Sequence, residues 1–225
     1  MALPRNLPNL ITGSRLVLAL VLFVILTLLG EARAGQAADG LLRDLAGRER
    51  LLLNICLGIF VTAAITDVLD GHIARRWGLQ TDFGRIVDPF ADKVIVCGAF
   101  VLLVPLEGSR VPAWTVVLIL ARELLVDGVR GFAESRGVAF PALWSGKLKM
   151  LSQCLCLTWI FLAMAWLQDQ PWAATTSSAL VLLVVAITLA SGVDYLLHAR
   201  RVLGSDQLAR LTSHQPGAPA RPVGS

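Results

Sequence analysis

Four aspartates fall in two pairs, Asp67 with Asp70 and Asp88 with Asp92. Members of the first pair stand three residues apart and members of the second four apart, so each pair shares one helix face. If the two helices pack antiparallel, four carboxylates converge. Left alone, such a cluster repels itself and most members hold a proton. Two divalent cations would balance its formal charge. Hard oxygen donors with no His or Cys beside them suit Mg²⁺ or Mn²⁺ rather than zinc. Paired metals on carboxylates are a device for in-line displacement at phosphorus. Between the pairs, Gly71 removes a side chain where a ligand could approach the backbone, and Arg75 offers a forked donor matched to phosphate oxygens.

A second constellation follows downstream. Arg122 and Glu123 lie near the end of one apolar run and Arg130 just past it, and Lys147 and Lys149 open the next beside Gly146. Arg122 lies deep enough in its run to need a partner. Glu123 adjoins it in sequence, but on a different helix face. Anchoring of cations at the membrane edge accounts for Arg136; the depth of Arg122 asks for more. A cationic group near a metal site suits an anionic second substrate.

The elements that must hold these residues are apolar. Hydrophobic residues make up 56% of the 225 and charged ones 16%, too apolar for a soluble domain of this size. Six apolar runs read as spans against the roughly 20 residues a bilayer-crossing helix needs, the fourth of them short: 10–29, 51–68, 86–106, 112–126, 148–167 and 175–197. The expected fold is an all-α integral membrane protein of six transmembrane helices, with a polar active-site cavity facing the cytoplasm. A soluble helical core is the rival, but 16–29 is apolar on every face. No cleavable signal peptide stands out, because the first run is long and lacks a small-residue cleavage site.

Lys and Arg set the orientation. With six spans, both termini and the loops after the second and fourth share a side. That side carries Arg5, Arg75, Arg76, Arg85, Arg130, Arg136, Lys147, Lys149, Arg200, Arg201, Arg210 and Arg221. The termini and the aspartates are therefore expected in the cytoplasm. The net charge of +4 follows from topology and gives no reason to invoke nucleic acid. Cys56, Cys97, Cys154 and Cys156 sit within apolar runs and read as small buried hydrophobes. The stretch 31–50, with Leu41, Leu42 and Leu45 among charges, suggests an amphipathic helix on the outer surface. One membrane domain over 1–203 is expected, then a disordered tail over 204–225, rich in Pro, Gly, Ala and Ser.

The first pattern, Asp67-x-x-Asp70-Gly71-x-x-Ala74-Arg75, then Gly84-x-x-x-Asp88-x-x-x-Asp92, resembles the signature of the CDP-alcohol phosphotransferase family at all eight positions. The residues around Arg122 to Gln153 look like the bacterial phosphatidylglycerophosphate synthase branch of that family. Asp127 stands where that branch has a small hydroxyl residue, and Met150 where it has Thr. The resemblance implies CDP-diacylglycerol as donor, sn-glycerol 3-phosphate as acceptor, membrane lipid as surroundings, and a homodimer as an assembly found in the family. It implies that Asp67, Asp70, Asp88 and Asp92 hold two ions, that Asp92 is also the catalytic base, and that Gly71, Arg75 and Thr81 hold the donor. Asn9, Thr12 and Arg15 recur every third residue at the mouth of the first span. From spacing alone they read equally as a cap with a snorkelling arginine or as ligand contacts; the resemblance assigns them to the donor. Arg122, Arg130, Lys147 and Lys149 grip the acceptor phosphate on this reading. Inositol phosphate, serine or phosphatidylglycerol are other acceptors within the family. From other classes, a divalent-cation transporter would use the same carboxylates but not Arg75 or the two lysines, and a membrane scaffold would use neither.

Overall fold

In the computed structural model, residues 7–34, 44, 47–77, 82–137 and 143–213 are described. Their side chains are described over 13–34, 44, 47–66, 90–137 and 143–202. These residues form six α-helices and one short 3₁₀ turn: α1 Leu7–Arg33, α2 Glu49–Trp77, α3 Asp82–Leu103, the turn Glu107–Ser109, α4 Ala113–Ser135, α5 Trp144–Trp166 and α6 Pro171–Ser213. Each of the six apolar runs falls mainly in a helix of its own, although 86–106 runs three residues past the end of α3. No strand occurs among the described residues.

Local chemistry sets several boundaries. Pro112 precedes α4 in extended backbone, and Pro171 opens α6 where its missing N–H is no loss. Gly137, at φ +72°, closes α4 in the left-handed region, with its N–H donating to Glu134 O at 2.9 Å. At the opposite end of the bundle, Ser109 Oγ donates to Leu103 O at 2.7 Å and satisfies a carbonyl of the last turn of α3. Helix α6 runs on past Gly204 to Ser213, into the stretch expected as a tail. Leu203, Leu208 and Leu211 keep an apolar spacing there, and one glycine does not break it. Residues 214–225 lie outside the described ones, as do Leu41, Leu42 and Leu45 of the expected surface helix.

The helices close into a ring. α1 packs on α2 and α3, α3 on α4, α4 on α6, α6 on α5, and α5 back on α2, with α3 also touching α5. The core runs through the middle of this ring: Leu22 and Leu26, Leu53 and Phe60, Phe100 and Leu103, Leu157 and Phe161 are buried together. The rings of Phe60 and Phe161 meet tilted at 51°, with centroids 5.9 Å apart. Outward faces are equally apolar. Val17, Leu20, Val24, Val117, Leu155 and Leu182 are exposed, which suits hydrocarbon and not water.

By length and composition, four helices can cross a membrane among the described residues: α1, α2, α5 and α6. The chain is an integral membrane protein on that measure. The other two, α3 and α4, carry Asp92, Lys93, Arg122, Glu123, Asp127 and Arg130. The charges of α4 keep it from that count, while the described side chains of α3 cover only residues 90–103, a stretch shorter than a crossing helix.

Candidate functional site

A cavity of about 230 Å³ opens where the middle of α3, the second half of α4, the start of α5 and α6 at Tyr195 meet. Helical period explains how α4 supplies so much of it: Arg122, Val126 and Arg130 follow one another a turn apart, and Glu123 and Asp127 do so on the strip beside them. Asp92 and Lys93 enter from α3; Lys147 and Lys149 enter from α5. The aspartate expected as the base and the four cations expected to hold the acceptor phosphate thus line a single space. Counting all ionisable linings, five cations (Lys93, Arg122, Arg130, Lys147, Lys149) face three carboxylates (Asp92, Glu123, Asp127), a formal excess of two positive charges.

These charges are wired in pairs. Glu123, 5% exposed, accepts from Lys149, and Arg122 Nη1 lies 3.4 Å from the same oxygen. Arg122 and Lys149 are buried as well. Sequence spacing had placed Glu123 on another face from Arg122. The long guanidinium swings across that offset, so the two neighbours do meet. Buried charges this close are stable only with such partners. Arg122 Nη2 also donates to Ser191 Oγ of α6 at 2.7 Å. Arg130 Nη2 donates to the Tyr195 hydroxyl at 3.2 Å. Lys147 is exposed, with its ammonium 5.3 Å from the Trp144 ring centroid.

On the other wall, Lys93 donates to both carboxylate oxygens of Asp127. The lysine next to the expected base is thereby drawn to α4. Asp92 itself accepts from Arg15, a buried arginine of α1. One residue expected at the donor and one expected at the acceptor hydroxyl are thus joined directly. Asp194 accepts from Ser145 Oγ at 2.6 Å.

The remaining expected site residues are placed by backbone alone. Asp67, Asp70, Gly71 and Arg75 belong to the last turns of α2, Asp88 to the first turns of α3, and Asn9 and Thr12 to the first turns of α1. Their side chains, and Thr81 altogether, lie outside the described residues. α1 packs on both α2 and α3, so the helices bearing all four aspartates flank the helix bearing Arg15. The donor chemistry of the set, four carboxylates on two consecutive helices that both pack on α1, fits hard divalent cations.

Sequence reasoning did not single out Tyr195 or Ser191 as partners of the arginines. The available signal was slight. Tyr195 is the chain's one tyrosine, and it stands with Ser191 and Asp194 in an otherwise apolar stretch.

A model of the CDP-alcohol phosphatidyltransferase family matches residues 5–193. Among curated proteins, the chain is 35% identical over 201 residues to a probable phosphatidylglycerophosphate synthase of Mycobacterium tuberculosis, covering 88% of this chain and 84% of that one. It is 34% identical over 159 residues to the CDP-diacylglycerol–glycerol-3-phosphate 3-phosphatidyltransferase of Bacillus subtilis, covering 70% and 77%. The enzyme of that name from Escherichia coli is 34% identical over 148 residues, covering 63% and 76%.

Proposed function

The chain belongs to the CDP-alcohol phosphatidyltransferase family, and on that premise we propose that it moves the phosphatidyl group of CDP-diacylglycerol onto sn-glycerol 3-phosphate. The products are phosphatidylglycerophosphate and CMP. Relatives of that name support the reaction. The observation that carries it to this chain is the single cavity shared by Asp92 and by Arg122, Arg130, Lys147 and Lys149.

In this reading the donor's cytidine end rests against Gly71, Arg75, Thr81, Asn9, Thr12 and Arg15, with its acyl chains among the lipid-facing helices. Asp67, Asp70, Asp88 and Asp92 hold two divalent cations, Mg²⁺ or Mn²⁺, which supply charge stabilisation for the departing CMP when bound. Arg122, Arg130, Lys147 and Lys149 hold the acceptor phosphate and so aim its free hydroxyl at Asp92. Asp92 takes the hydroxyl proton as the oxygen bonds to the lipid-bearing phosphorus, and the bond from that phosphorus to CMP breaks. Arg15, already on Asp92, orients the carboxylate. All six helices span the membrane in this reading. Both termini and the cavity lie in the cytoplasm, residues 1–203 form the membrane domain and 204–225 a tail, and the assembly is a homodimer.

The test is CMP release by purified protein with CDP-diacylglycerol, Mg²⁺ or Mn²⁺, and a panel of glycerol 3-phosphate, inositol phosphate, serine and phosphatidylglycerol. Release with glycerol 3-phosphate alone is expected. Release with inositol phosphate and not glycerol 3-phosphate would overturn the acceptor assignment. Divalent-ion flux in vesicles without any nucleotide requirement would overturn the enzyme reading itself.

A further inference from the structure

Tyr195 of α6 is buried, 3% exposed, at a point where a membrane helix has little use for a hydroxyl. Its oxygen accepts two hydrogen bonds: from Arg130 Nη2 at 3.2 Å and from the backbone N–H of Leu143, just ahead of α5, at 3.1 Å. Its ring lies beside both arginines, 5.2 Å from Arg122 Cζ and 5.9 Å from Arg130 Cζ. The face of an aromatic ring attracts a guanidinium at these distances. One side chain therefore touches both cations that α4 sends into the cavity, and also the residue that leads into Lys147 and Lys149.

The surroundings are cut to fit. A Cβ at Gly146 would stand 3.0 Å from the tyrosine hydroxyl and 3.3 Å from its ring. At Gly192, one turn before Tyr195 on α6, a Cβ would stand 3.1 Å from Arg122 Cγ. Ser191 beside it binds the same arginine. Two glycines thus open the space that the tyrosine and the Arg122 stem occupy. Arg122 Nε and Arg130 Nε are buried and have no hydrogen-bond partner among the described residues. Arg122 is held by Ser191 and Glu123 besides the ring, and Arg130 by the tyrosine hydroxyl.

We propose that Tyr195 is the positioning residue that sets Arg122 and Arg130 at the phosphate end of the acceptor cavity. The inference rests on the acceptor reading above. Tyr195 touches no reacting atom. Its effect reaches the reaction through the arginines, so it belongs to binding of the acceptor and not to binding of the donor.

Steady-state kinetics of Tyr195→Phe, with each substrate varied in turn, test this. Losing one hydrogen bond to a charged donor should raise KM for glycerol 3-phosphate roughly three- to tenfold, while KM for CDP-diacylglycerol changes by less than about twofold. Gly146→Ala removes no polar group but crowds the hydroxyl, and should give the same selective rise. In a Tyr195→Phe background, which lacks the crowded oxygen, the Gly146→Ala penalty should shrink. An unchanged acceptor KM in Tyr195→Phe overturns the proposal. So does a fall in kcat with KM rising for both substrates, the mark of a merely structural residue, and so do penalties that simply add in the double variant. Wild-type protein inactive on glycerol 3-phosphate would count against the acceptor reading instead. The same KM comparison would then be run on whichever phosphorylated acceptor is used.

Discussion

Replacing Glu123 by Gln keeps its shape and removes its charge. The buried carboxylate holds Lys149 and approaches Arg122 at 3.4 Å. Removing one partner of a buried ion pair costs about 3–5 kcal/mol, because the remaining charge is left uncompensated. The amide oxygen can still accept from Lys149, a hydrogen bond to a charged donor worth about 1.5–3 kcal/mol. A net loss of about 2 kcal/mol follows, which for a chain of this size lowers Tm by on the order of 4–8 °C. The cavity's formal excess of positive charge rises at the same time from two to three. A phosphate dianion entering there replaces the missing countercharge. Glycerol 3-phosphate should then narrow the gap in Tm between variant and wild type, by binding only the folded form. The chain's six tryptophans make intrinsic fluorescence a suitable melting probe in detergent. Glycerol, and sulfate at matched ionic strength, serve as controls. Should Glu123→Gln melt with the wild type, or glycerol 3-phosphate leave the gap as wide as glycerol does, the charge argument for this cavity fails.

Asp92→Asn should abolish CMP release while CDP-diacylglycerol binding, followed by calorimetry, persists; loss of binding alone would undo the base assignment. Lys93→Met and Asp127→Asn should each cost less than about 1 kcal/mol of stability, since their side chains are 32% and 44% exposed. The charge-swapped pair Lys93→Asp with Asp127→Lys should melt within a few degrees of wild type. Gly98→Ala tests the packing of α1 on α3. Its Cβ would come within 2.1 Å of the Phe23 ring, an overpacking of about 1–3 kcal/mol. Phe23→Leu in the same chain should recover most of the melting temperature.

The six helices were legible because a bilayer forces long apolar helical runs. Bilayer and sequence agree least at α3 and α4. There the polar face of the cavity interrupts the apolar run, and α4 continues to Ser135, beyond the apolar segment ending at Val126. The cationic set was legible residue by residue, since Arg122 lies too deep to be an edge anchor and Lys147 and Lys149 open a helix together. What those residues touch was not. The rotation of α4 against α6 brings Ser191 and Tyr195 to the arginines, and that rotation depends on core contacts such as Val126 with Tyr195 and Ala199. No periodicity in either helix alone encodes it. Glu123 was misplaced for the same kind of reason. Face assignment follows Cα positions, while an arginine reaches well beyond its own face.

The wiring also bears on which molecules the cavity can accept. In the formal count the carboxylates of Glu123 and Asp92 offset Lys149 and Arg122, and Asp127 offsets Lys93. The surplus sits on Arg130 and Lys147, at the end ordered by Tyr195 and Trp144. A zwitterion such as serine brings no net charge to answer that surplus, and its ammonium would meet two cations of like sign. A phosphomonoester dianion answers it in full. Because Asp92 lines the same space, a small acceptor whose phosphate is held at the surplus end carries its hydroxyl towards the carboxylate. A lipid acceptor such as phosphatidylglycerol brings only a phosphodiester monoanion to that end. On the proposed acceptor reading the cavity would select first for the phosphate and only through it for the hydroxyl that reacts, so damage to the phosphate end should appear in KM before it appears in kcat.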